Sequence, residues 1–134
     1  MRRILAVCTV VALFGCGSGD SAPSLSGTLT GSTWATSGGK FQVYRDDGTY
    51  AVGSTRDSAR GDVAEADTEW GTWSVESNVL TLQPDPSSPF CADVTGVYDI
   101  EVTDDGAGLD VAVQDDTCEL RSRDMARGLN QVDG

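Results

Sequence analysis

The sequence predicts an all-β fold: an antiparallel up-and-down meander of seven or eight strands closing into a small barrel, with a short C-terminal helix. Two observations carry this. Short segments alternate apolar and polar residues with period two, the mark of half-buried antiparallel strands. The links between them are aspartate, asparagine and glycine turns that favour hairpins. In a chain of 134 residues with 16 glycines, that pattern suits one compact, turn-rich domain.

In chain order, a strand is expected near Thr33–Thr36. Lys40–Tyr44 and Thr49–Ser54 follow, joined at Asp46, Asp47 and Gly48. Trp70–Glu76 and Val79–Gln83 pair across Ser77 and Asn78, and Val97–Thr103 and Leu109–Gln114 across residues 104–108. A short eighth strand has room after Cys118, and closure removes the unpaired edges of such a meander. Alternation puts Phe41, Val43, Tyr50, Val52, Trp73, Val75, Leu80, Leu82, Tyr98, Ile100, Val102, Leu109, Val111 and Val113 inside. Trp70 and Trp73, three apart on one strand, must face opposite sides, with Trp73 in the core and Trp70 at the rim. A helix over Arg121–Gln131 is expected to lay Met125 and Leu129 over one barrel end. With so many rings directed inward, the interior should be mostly filled and open at one end.

The N-terminus reads as an address. Two arginines precede an apolar run from Ile4 to Phe14, too short to span a bilayer, which needs about 20 apolar residues. Leu13, Phe14, Gly15 and Cys16 resemble a bacterial lipobox. That resemblance implies a signal peptide over 1–15, a lipidated Cys16 as mature N-terminus and a flexible tether over 16–28. The folded domain then spans 29–134. Cys8 leaves with the signal and Cys16 carries lipid, so Cys91 and Cys118 are left to bridge in an oxidising compartment.

Charge and composition exclude several functions. The net charge is −12, and loss of Arg2 and Arg3 makes the mature chain more acidic still. Such a surface repels nucleic acid. The chain has no histidine, which removes Ser-His and Cys-His nucleophile pairs and imidazole metal sites. No metal or cofactor is expected. The aspartate pairs at 46–47, 104–105 and 115–116 lack the spacing of an EF-hand loop and read as solvated turns. Arg60, Gly61 and Asp62 match a tripeptide used by some adhesion ligands, here taken as coincidence.

Phe41, Asp47 to Tyr50, Gly71, Trp73, Val75, Asn78, Leu80, Leu82, Cys91, Tyr98, Asp116, Cys118 and Arg121 follow one another in an order that resembles the small lipocalin-like domains of bacterial lipoproteins. The resemblance covers about residues 29–127. It implies a calycin-type barrel and a tryptophan of the first strand, Trp34, stacked on a basic residue near the last, Arg121 or Arg123. The expected role is non-catalytic: a monomer tethered through its lipid on the extracytoplasmic side of the bacterial cell envelope, in the outer membrane where there is one. It would hold a small apolar ligand at the barrel mouth against Tyr50, Trp73 and Tyr98, with the polar 56–69 loop as a lid. The alternative is a filled barrel that presents its loops to a protein partner, as a protease inhibitor does. An enzyme using paired carboxylates would need a cavity that holds two close acids.

Overall fold

The computed structural model describes residues 25–132. Eight antiparallel strands run in sequence order around a closed barrel: β1 (Thr33–Thr36), β2 (Phe41–Tyr44), β3 (Thr49–Gly53), β4 (Glu69–Glu76), β5 (Val79–Pro84), β6 (Gly96–Val102), β7 (Gly108–Asp115) and β8 (Leu129–Val132). Three short helices accompany them: α1 (Leu25–Thr30), α2 (Arg56–Arg60) and α3 (Glu119–Ala126). Among the described residues, no helix is long and apolar enough to cross a membrane.

All seven expected segments form strands, and the turns do what their residues suggest. Gly48 and Gly106 take positive φ angles of 89° and 75° at the tips of the β2–β3 and β6–β7 hairpins. Asp47 Oδ1 accepts from the Thr49 amide at 2.9 Å, and Asp105 Oδ1 from the Ala107 amide at 2.9 Å. These carboxylates are spent on turn amides, a common reason for aspartate before glycine. Among the described residues, no group of three or more potential ligands is arranged to hold a metal ion.

The C-terminal region departs from expectation. The helix starts two residues early and stops at Ala126, and the eighth strand follows it rather than Cys118 directly. Gly128 ends the helix at φ +83°, where any Cβ would lie 2.7 Å from the Leu109 carbonyl. Leu129 therefore enters a strand. β8 pairs Thr36 with Leu129 and Thr33 with Val132 on one side, and Leu109 with Leu129 on the other, which closes the barrel. Met125 does cover the barrel end, fully buried beneath α3.

β2 is turned the other way from its hydrophobic pattern. Gln42 and Tyr44 are buried, while Phe41 and Val43 are only half-buried. The reason is an outer layer. The 56–69 segment is not an open loop: it folds as α2 and a 3-10 turn over Val63–Glu65. α2 packs on β2 and β3, with the Arg56 guanidinium 5.7 Å from the centre of the Phe41 ring. Arg45 Nη2 holds the helix through the Ala59 and Gly61 carbonyls at 3.2 and 2.6 Å. Asp67 ties the segment's end to its start by accepting from the Ser54 amide at 2.8 Å, and with the Ser54 hydroxyl this holds its carboxyl down to about 2. Arg60 Nε donates to Thr33 Oγ1 at 3.1 Å, so the adhesion-like tripeptide is built into this packing. Val102, also expected inside, is 37% exposed near the end of β6.

The interior is filled mainly by aromatic and branched side chains. Trp34, Tyr44, Tyr50, Leu80, Leu82, Tyr98, Ile100 and Leu109 are buried, with Trp73, Val75, Val111 and Val113 packed against them. Tyr44 stacks on Tyr50 and meets the edge of Trp73, with ring centres 6.1 and 5.4 Å away. α1 precedes the start of β1 and packs on β2 and β4. Its Leu29 is fully buried, and the Leu29 carbonyl accepts from Trp34 Nε1 at 3.1 Å. This helix closes one barrel end; α3, between the end of β7 and the start of β8, lies at the other.

Candidate functional site

The site begins with the parity of β4. Glu69 shares a face with Gly71, Trp73 and Val75, so the strand that sends Trp73 inward also sends in a carboxylate, 3% exposed. A buried carboxylate is costly unless it is paired and hydrogen-bonded, and α3 supplies the partner. Arg121, in its first turn, donates from Nη1 to Glu69 Oε2 at 2.9 Å. The same guanidinium grips Asp116, from Nε to Oδ2 at 2.8 Å and from Nη2 to Oδ1 at 2.8 Å. Nη2 also donates to the Val94 carbonyl at 2.6 Å.

Two tyrosines complete the cluster. Tyr50 donates its hydroxyl to Glu69 Oε2, and Tyr98 donates to Asp116 Oδ2. Gly96, two residues before Tyr98 on the same face of β6, leaves the space the Tyr98 phenol needs beside the guanidinium: a Cβ there would run into the Tyr98 hydroxyl and sit 3.0 Å from Arg121 Nη2. Burial raises the Glu69 pKa above the ordinary carboxyl range, aided by the Asp116 charge and opposed by Arg121 and Tyr50. Burial also raises the Tyr50 and Tyr98 hydroxyls, which stay protonated. For Arg121 burial works against the charge, but the hydrogen bonds to Asp116 and the charge of Glu69 outweigh it, and its pKa rises.

Above this cluster, between α3 and the barrel end, lies a cavity of about 330 Å³. Val52, Leu82, Phe90, Leu120 and Met125 give it an apolar wall, and Gln42, Glu69 and Arg121 border it with polar atoms. The Cys91–Cys118 disulfide, with Cα atoms 5.6 Å apart, lies along the same cavity, and Cys118 is the N-cap position of α3. Phe90 and Leu120, beside the two half-cystines, are 51% and 62% exposed. The entrance is therefore apolar on the surface as well as within.

Comparison of the chain with protein-family models, curated proteins and solved structures gave no match. What the site can do rests on its own residues.

The expected ligand contacts, Tyr50, Trp73 and Tyr98, are not among the residues lining this cavity. Tyr50 and Tyr98 are fully buried and hold the carboxylates from below. Trp73 points toward the end closed by α1 and donates from Nε1 to the Arg45 carbonyl at 3.0 Å. The stack of Trp34 on Arg121 does not form: the indole N–H goes to Leu29, and the guanidinium is taken up by Glu69, Asp116 and Val94. Among the described residues, the cation–π contact is that of Arg56 on Phe41. Of the 56–69 loop only Thr68 and Glu69, at its end, line the cavity, and the element lying over it is α3. Cys16 lies outside the described residues.

Glu69 and Asp116 were not anticipated as site residues. Glu69 has the same parity as Trp73, which was signal enough to turn it inward. Asp116 belongs to an aspartate pair whose pattern reads as a solvated turn, yet its side chain is fully buried on Arg121.

Proposed function

We propose that this protein is a membrane-tethered, lipocalin-like lipoprotein, monomeric and non-catalytic, that holds a small apolar ligand at the open end of its barrel. The observation that supports this most is the apolar cavity of about 330 Å³ beneath α3, which falls within the range of small-molecule sites. The cavity is lined by Glu69 and, from α3, by Glu119 and Asp124; Glu69 is already engaged by Tyr50 and Arg121. The test uses the full chain carrying Cys16→Ser, which lacks any lipid of its own. The neutral dye N-phenyl-1-naphthylamine should bind with enhanced fluorescence, and Leu120→Arg at the entrance should weaken it about tenfold or more. Because Leu120 is exposed, the unfolding transition should not move. A second reading, a protein-interaction or inhibitor module, draws on exposed Phe90 and Leu120, and it takes precedence if no dye binds.

The tether is part of the same reading. The described chain begins at Leu25 in α1, at the end away from the cavity, so a lipid on Cys16 would leave the cavity uncovered by the attachment. A palmitate analogue fed to the host should label the wild type and not Cys16→Ser; equal labelling of both would remove the lipoprotein assignment.

A further inference from the structure

We infer that the ligand this cavity takes is a cationic amphiphile, an alkylammonium with a short apolar body, paired through its head group to Glu69. The inference rests on the ligand-binding reading and deepens it. Glu69 Oε2 already accepts from Tyr50 and Arg121, but among the described residues no hydrogen bond reaches Oε1. Among the described residues, the one sealed side-chain nitrogen or oxygen without a partner is Arg45 Nη1. The free Glu69 oxygen is therefore not sealed. It belongs to a side chain 4% exposed that borders the cavity, an unpartnered acceptor at the base of an apolar space.

The charges point the same way. Glu69 and Asp116 share one guanidinium, which leaves a negative charge in excess inside the barrel end. Among the residues lining the cavity, Lys40 is outnumbered by Glu119 and Asp124, so the rim does not make up the deficit. An anionic ligand finds poor reception. Arg121 already donates four hydrogen bonds, out of the five N–H groups a guanidinium carries. One N–H of Nη1 is left, so a carboxylate finds a single donor beside two acids already in place. An ammonium supplies a charged donor to Oε1, and such bonds are about twice as strong as neutral ones. The wall of Val52, Leu82, Phe90 and Met125 takes the alkyl chain.

The test measures octylammonium, octanol and octanoate by calorimetry on the full Cys16→Ser chain. Octylammonium should bind about tenfold or more tighter than octanol, with octanoate weakest. Glu69→Gln should erase the advantage of the amine over octanol. If that variant fails to fold, the three-ligand ranking on the Glu69-containing chain decides alone. Octanol binding as well as octylammonium would overturn the cationic inference and leave the apolar-ligand reading standing. Octanoate binding best would overturn it in favour of Lys40 or Arg121 as anchor. Binding of none of the three would bring down both readings together.

Discussion

Arg121→Met should destabilise the fold by about 3–5 kcal/mol, because it strands two carboxylates in a place that water reaches poorly. The guanidinium is the only cation in contact with Glu69 and Asp116 among the described residues, with side-chain exposure of 5% for Arg121, 4% for Glu69 and none for Asp116. A domain of this size has a margin of about 5–15 kcal/mol, so the variant should sit near the edge of stability. Urea unfolding measures it, and a loss under about 1 kcal/mol would mean that the cluster relaxes to water instead.

The deficit should depend on pH in a definite direction. Burial holds the folded-state pKa of Glu69 above its ordinary 4.5, and removing Arg121 removes an opposing influence. A raised folded-state value means that this group's contribution is fully present below 4.5 and is lost as pH rises through the raised value. Arg121→Met should therefore come closer to the wild type in mild acid, where Glu69 takes up a proton, and fall furthest behind at neutral pH. A deficit that grows on acidification would assign the damage to packing and not to the stranded charge.

Removing the disulfide is the next largest effect. Cys91 and Cys118 are 27 residues apart in sequence, and a loop of that length is worth about 3–4 kcal/mol through the unfolded chain. Cys91→Ala with Cys118→Ala should lower the melting temperature by more than about 10 °C. It should also loosen the cavity, since Cys118 begins α3 and both half-cystines line that space. Dye binding measured well below the new transition should weaken as well. A variant that melts early yet binds dye like the wild type would show that α3 is held by Met125 and Arg121 without the bridge.

Much of the barrel is local chemistry and was legible as such. Hairpin turns at Asp47 and Gly48 and at Asp105 and Gly106 need only their own residues, and so does the alternation of Val79–Pro84, whose every second residue is buried. The pairing of Cys91 with Cys118 followed from counting cysteines. These features depend on residues a few positions apart, or on a compartment, and no tertiary contact is needed to read them.

The rest was decided in three dimensions. Period two says that one face of β2 is buried more than the other, but not which, once α2 covers Phe41 from outside and Gln42 and Tyr44 pair within. Gly128 turned an apparent helix into the closing strand because its left-handed angle lets the chain pass beside Leu109 and pair with β1. Glu69 looked like the polar end of a loop and Asp116 like a turn. Each is buried only because Arg121, 52 and 5 residues away, arrives with the matching charge. Hydropathy assigns an acid to solvent by default; a counter-charge brought in by the fold changes that assignment, since the cost of burying a carboxylate depends on what it meets there.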